Sequence, residues 1–245
     1  MKADPAVQRR LLDLAEVDAE LSRADHRRRT MPELAEITEA EKTVQAKRDA
    51  QVAVQTQLDD LDREVARQEK EIDAVRARED RDRKLMAGGT IGAKQLTDLE
   101  HELATLERRQ GVLEDDLLEL MERREAVEMD GKHAGVELAR AEEKLADAVR
   151  RRDENLTDIG TTEARRAQDR TKVLAGMPAD LLAVYERRFK QKGIGAALIR
   201  ARRCGACRIE LDTREISRIR ETAADEVIEC EECGAILVRT PESGL

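Results

Sequence analysis

Four cysteines stand in this 245-residue sequence, as two Cys-x-x-Cys pairs, Cys204–Cys207 and Cys230–Cys233, separated by 22 residues. Each pair carries a glycine suited to a tight turn, Gly205 inside the first and Gly234 just after the second. Two such turns facing one another present four thiolates in a tetrahedron, the donor set of a structural zinc ion. The gap between the pairs is a little longer than the ~15–20 residues usual for such a motif. The expected cofactor is therefore Zn(II), one structural ion on Cys204, Cys207, Cys230 and Cys233. Three other chemistries compete. A redox dithiol normally sits at a helix start in a βαβ setting, and neither pair does. Four thiolates also suit iron in a rubredoxin-like site, although no aromatic shell surrounds the pairs. A catalytic zinc needs an open position, and four cysteines leave none.

The composition limits what can hold these cysteines. The chain has no Trp, one Tyr, one Phe and 4 Pro, and 40% of its residues are charged. Such a chain has no broad aromatic core, and its charged, helix-forming residues point to long helices. The net charge of −9 argues against a protein that coats nucleic acid along its whole length, although local patches can differ. No apolar run approaches the ~20 residues of a membrane span. The opening residues lead straight into a charged helix, so neither a signal peptide nor a membrane association is expected. Thiolates reserved for metal fit a reducing cytoplasm.

The periodicity predicts the elements that position the pairs. Asp4 and Pro5 announce a first helix with Val7, Leu11, Leu14 and Leu21 on one face. A break is expected at 29–32, where Thr30 and Glu33 read as a capping box. From Ile37, steps of 3 and 4 reach Ala40, Val44, Lys47, Gln51, Val54, Leu58, Leu61, Val65, Gln68, Ile72 and Val75, nine apolar positions in twelve. That is a heptad seam on a helix running to about Lys84. Gly88, Gly89 and Gly92 mark a turn near 86–93, after which the seam resumes at Leu96, Leu99, Leu103 and Leu106 and continues to Ala148. Two matched seams joined by a glycine turn predict an antiparallel helical hairpin. Gly131 and Gly135 suggest close backbone approach or loosening opposite the break, with a functional hinge as the sharper alternative. The second helix should end near Ala175, with Gly176 beyond it.

The fold class expected is mainly α: a long antiparallel coiled-coil hairpin over 1–175, a neck helix over 176–192, a small β zinc ribbon over 193–240 and a frayed tail over 241–245. In the ribbon, 197–203 reads as one strand entering the first cysteine turn. Asp212 caps a helical turn carrying Ile216 and Ile219, and strands enter and leave the second cysteine turn. Tyr185 and Phe189, one turn apart on the neck, either pack it onto its neighbours or form a base-stacking platform. Between 181 and 220 eleven Lys or Arg face four acids, whereas 221–232 holds six acids and no base. Arg187, Arg188, Lys190, Lys192, Arg200, Arg202, Arg203 and Arg208 are the candidate contacts for a phosphate backbone or an acidic protein. The alternative is that Arg202, Arg203 and Arg208 offset the thiolate charge while the rest are solvated. Arg81, Arg83, Lys84 and Lys94 form a second cluster at the hairpin tip, read as solvated. The three histidines, His26, His101 and His133, lie apart among charges and receive no role.

This arrangement resembles a bacterial family that joins a long coiled-coil hairpin to a four-cysteine zinc ribbon. The resemblance rests on the two cysteine pairs, on Cys230-Glu231-Glu232-Cys233-Gly234-Ala235-Ile236-Leu237, and on Lys94-Gln95-Leu96-Thr97-Asp98-Leu99-Glu100-His101-Glu102, which is similar to the segment opening the family's return helix. Val238 stands where the family often has Tyr. The resemblance implies that Cys204, Cys207, Cys230 and Cys233 are zinc ligands. It also implies an adaptor role, linked in some bacteria to an alternative sigma factor, export-apparatus proteins and messenger RNA. The expectation is a non-enzymatic adaptor or scaffold with protein partners and no small-molecule substrate. The alternative is an RNA- or DNA-binding regulator using the basic neck and ribbon.

Overall fold

The computed structural model describes residues 1–89 and 91–245; Thr90, within the expected glycine turn, lies outside the described residues. In chain order the elements are α1 (Pro5–Arg29), α2 (Pro32–Ala87), α3 (Ala93–Leu174), α4 (Ala179–Lys192), β1 (Ala196–Arg200), β2 (Arg203–Cys204), α5 (Thr213–Glu221), β3 (Ile228–Glu229) and β4 (Ile236–Val238), followed by a 3-10 turn at Pro241–Ser243. They form two compact units, one of Ala35–Val149 and one of Met1–Leu34 with Arg150–Leu245. A long helical hairpin and a small C-terminal strand region therefore make up the fold, as the heptads and cysteine turns predict. No helix is long and apolar enough to cross a membrane among the described residues.

In the unit of Ala35–Val149, α2 and α3 run antiparallel. Lys47 pairs with Glu137 (3.3 Å), Arg76 with Glu114 (2.7 Å) and Arg83 with Glu107 (3.1 Å), so partner numbers fall as α2 advances. The polar residues that interrupt the seam find partners of their own. Lys47 takes Glu137, and Gln68 donates to the Leu113 carbonyl at 3.1 Å. Gly131 faces Val54 and Gly135 faces Gln51, where an added Cβ would sit 3.5 and 3.7 Å from the nearest atoms. These glycines therefore lie opposite the middle of α2 in ordinary van der Waals contact, which corrects the expected loosening opposite the break.

The break itself falls at Thr30 and Met31, but its chemistry differs from a capping box. Thr30 closes α1, its hydroxyl donating to the His26 carbonyl at 2.8 Å. Glu33 turns instead to Asn155, whose side-chain amide donates to it at 2.9 Å. Tertiary burial took the glutamate away from its local partner. Met31 then packs with Ala24 and Ile159.

In the second unit the four-stranded sheet has the order β2-β1-β4-β3, with β1 and β4 parallel and the outer pairs antiparallel. Successive residues of β4 point to opposite faces. Ile236 and Val238 enter a core with Leu11 and Leu14 of α1 and Leu181 and Tyr185 of α4. Leu237 enters the opposite core, with Ile216 and Ile219 of α5, Cys204 and Cys230. The ribbon sheet is thus covered on one side by α1 and α4 and on the other by α5 and the cysteines. The chain start joins it as well: the Ala3 amide donates to the Asp225 carbonyl at 2.7 Å and the Val227 amide to that of Met1 at 3.0 Å.

Two expectations about this region need correction. The predicted strand 197–203 is interrupted, because Ala201 and Arg202 form a two-residue reversal between the paired Arg200 and Arg203. The tail after Thr240 is ordered rather than frayed. Ser243 is fully buried and its hydroxyl accepts from the Thr240 amide at 2.9 Å, closing a reciprocal cap.

Candidate metal centre

The two cysteine turns are built alike. The Arg208 amide donates to the Cys204 carbonyl at 2.8 Å and the Cys204 amide to the Ile209 carbonyl at 3.0 Å. In the second turn the Gly234 amide donates to Cys230 at 2.8 Å and the Cys230 amide to Ala235 at 2.9 Å. The positive φ that closes the second turn belongs to Gly234 (74°), and its counterpart in the first is Arg208 (62°). Gly205 serves a different end. Its amide donates to the Leu198 carbonyl at 2.9 Å, and a Cβ there would lie 2.6 Å from that oxygen. One glycine answers a backbone angle, the other a close approach.

These turns bring all four sulfur atoms within 4.8 Å of one another. Cys204 and Cys233 lie 3.8 Å apart and Cys207 and Cys230 4.0 Å. A tetrahedron of sulfurs about 2.3 Å from a central zinc has edges of about 3.8 Å, so the donor set fits that ion. The separations are far beyond the ~2.05 Å of a disulfide, and all four cysteines are free. Neither pair opens a helix. Burial pushes the Cys204 and Cys230 thiols above their ordinary range. Burial acts in the same sense at Cys207, but hydrogen bonds from the Ile209 amide and the neighbouring thiols outweigh it and hold that thiol low. A metal ion taken up here must displace the protons this cluster shares.

The candidate contact residues separate into two groups. Arg188 is half-buried; it pairs with Glu229, and its guanidinium lies against Gly234. It ties α4 to the second cysteine turn and is not offered to a partner. Arg187, Lys190 and Lys192 are exposed on α4, with no carboxylate partner among the described residues. Arg200, Arg202, Arg203 and Arg208 are exposed around the β1–β2 reversal and the first cysteine turn. Tyr185 is fully buried, and Phe189 stacks on it with ring centroids 6.2 Å apart. The pair packs the neck; Tyr185 is closed to a nucleic-acid base.

Several residues that shape this unit escape a reading of spacing alone. Asp18, buried in α1, accepts from the Tyr185 hydroxyl at 3.0 Å and from Arg170 at 2.8 Å, joining α1, α4 and the end of α3. Its position on the stripe of Leu11, Leu14 and Leu21 was the available signal: one carboxylate at apolar spacing. Arg10 closes the end of α3 by donating to the Val173 carbonyl and, at 2.6 Å, to that of Ala175. Arg239 donates to the carbonyls of Ile219, Thr222, Ala223, Ala224 and Glu226, at 2.6 to 3.3 Å. No pattern in the sequence marks it.

Comparison with known proteins agrees with this architecture. Residues 14–193 match the CT398-like coiled coil hairpin domain and residues 203–237 the C4-type zinc ribbon domain. An uncharacterized protein of Mycobacterium tuberculosis is 43% identical over 239 residues, covering 98% of each chain. Another from Mycobacterium leprae is 38% identical over 228 residues, covering 91% of this chain and 96% of that one. A solved structure from Mycobacterium smegmatis is 42% identical with a TM-score of 0.85, over 98% of this chain and 100% of that one. The structure of CT398 from Chlamydia trachomatis, 19% identical, shares the fold at a TM-score of 0.64 over 95% of this chain and 97% of that one. On both domains and nearly its full length, the chain belongs to the family of CT398-like coiled-coil hairpin proteins carrying a C4 zinc ribbon.

Proposed function

We propose that this protein is a non-enzymatic adaptor: a coiled-coil hairpin that presents a long charged surface to protein partners, with a head stabilised by one zinc ion. The observation that carries the reading is the closed donor set. Four cysteine sulfurs within 4.8 Å of one another leave a tetrahedral ion no position for water or substrate. The metal then serves folding, as expected for a sheet whose strands have five, two, two and three residues. Charged residues dominate the hairpin exterior, which suits recognition by complementary charge. The cytoplasm is the compartment in which such thiolates stay reduced.

The direct test is capture from native lysate on the intact, zinc-loaded chain, with and without nuclease, followed by mass spectrometry and metal analysis. The proposal expects one zinc per chain and a set of proteins retained after nuclease treatment. Retention of none, or of nucleic acid alone, sinks it. The second reading, a nucleic-acid-binding regulator, is favoured by the exposed and unpaired Arg187, Lys190 and Lys192 of α4. It expects binding that weakens steeply with salt and retention that nuclease abolishes.

A further inference from the structure

Two of the four cations around the first cysteine turn, Arg202 and Arg208, sit on backbone that resists them. Ala201, Arg202 and Arg208, with φ of 49°, 59° and 62°, are the non-glycine residues of positive φ among the described residues, and they fall within a single run of eight. Ala201 and Arg202 occupy a two-residue reversal in which Asn-Gly is the unstrained choice. Arg208 occupies the place that Gly234 fills in the matching turn. The arginine side chains gain little within the molecule. Arg200 and Arg208 have no carboxylate partner among the described residues, Arg203 stands 3.8 Å from Glu210, and Arg202 reaches the Thr213 hydroxyl at 3.4 Å. All four are exposed. At Arg202 and Arg208, strained backbone where glycine would relieve it points to a use for the two guanidinium groups.

Building on the adaptor reading, we infer that the β1–β2 reversal and the first cysteine turn form a docking surface for an acidic polypeptide segment of a partner, its carboxylates held by Arg200, Arg202, Arg203 and Arg208. Guanidinium groups take carboxylates as paired, charge-assisted hydrogen bonds. Arg200 and Arg203 face one another across the hairpin, roughly 5 Å apart at the backbone, a spacing that neighbouring carboxylates of an acidic run can match. The surroundings favour a peptide over nucleic acid. The single tyrosine is buried and the single phenylalanine is stacked upon it, which leaves bases no Tyr or Phe platform.

The test measures fluorescence anisotropy of a labelled dodecaglutamate peptide with the zinc-loaded full chain. The key variant is Arg202→Gly with Arg208→Gly, which removes two charges at positions where glycine relieves strain. A variant with Arg187→Ala and Lys190→Ala removes the same charge from α4. The proposal expects the glycine variant to lose about ten-fold in affinity, with zinc content intact and a Tm unchanged or raised; the α4 variant should lose far less. Equal peptide affinity in the glycine variant and the parent chain overturns it. So does a lower Tm, which would make the arginines structural, or tighter binding of a DNA duplex of equal charge. The adaptor reading is judged separately. A chain that retrieves proteins from lysate but never binds the peptide sinks the docking surface and leaves the adaptor standing. Peptide binding by a chain that retrieves nothing supports the surface against the broader reading.

Discussion

Tyr185 is the chain's single tyrosine, which makes it a built-in reporter. Burial, and then the Asp18 carboxylate beside it, push its phenol well above the ordinary value of 10.0. The unfolded chain therefore loses this proton near pH 10 while the folded chain keeps it. Stability is full below that pH and falls as pH rises above it, by up to about 1.4 kcal/mol per pH unit. Phenolate absorbance should appear together with loss of structure, not before; an earlier rise means that the ring is reached by solvent in the folded state. Gly195 guards the same ring, since a Cβ there would lie 2.5 Å from its carbons. Arg239→Ala takes one donor from five carbonyls. Ala223 keeps the Glu226 amide and Ala224 the Gln8 side chain, so the loss falls on Ile219, Thr222 and Glu226 and should cost about 2–3 kcal/mol in denaturant unfolding. A cost below about 0.5 kcal/mol would show that water serves those oxygens equally well.

At the scale of elements, the hairpin was legible because its pattern is local. A seam every three or four residues and a glycine turn specify two helices whatever else they touch, and α2 and α3 follow. The glycines of α3 were less legible, because their meaning depends on what faces them. Gly131 and Gly135 have ordinary helical angles and room for a methyl group. Replacing either by alanine should raise the stability of the hairpin by about 0.5–1 kcal/mol, read as a higher midpoint of helix unfolding. A destabilised Gly131→Ala would reveal a tighter approach to Val54 than the 3.5 Å seen. The capping box at Thr30 failed for a related reason: a local pattern lost to Asn155, 122 residues further along the chain from Glu33.

On the scale of the molecule, the ribbon is no free-standing appendage. Its sheet is covered on one side by α1 and α4 and on the other by α5 and the cysteines. Chelating the metal should open 196–239 to protease and, through Ile236 and Val238, change the fluorescence of Tyr185. The hairpin of Ala35–Val149, a separate compact unit, should keep its helical circular dichroism. Unchanged Tyr185 emission after verified metal removal would show that the core of α1, α4 and the sheet stands without the metal.

By itself the sequence determined the hairpin, the α5 cap at Asp212 and the set of four cysteines, because each is written in spacings of a few residues. The Asp212 carboxylate accepts from the Glu215 amide at 2.7 Å, as the local pattern requires. Only the tertiary structure decided that α1 covers the back of the ribbon, that Arg188 binds inward to Glu229 while Arg200, Arg202 and Arg208 stay outward, and that Arg239 gathers a loop. Periodicity states which face of an element is apolar, not what covers it. The direction an arginine takes is set by carbonyls and carboxylates that folding brings from distant parts of the chain.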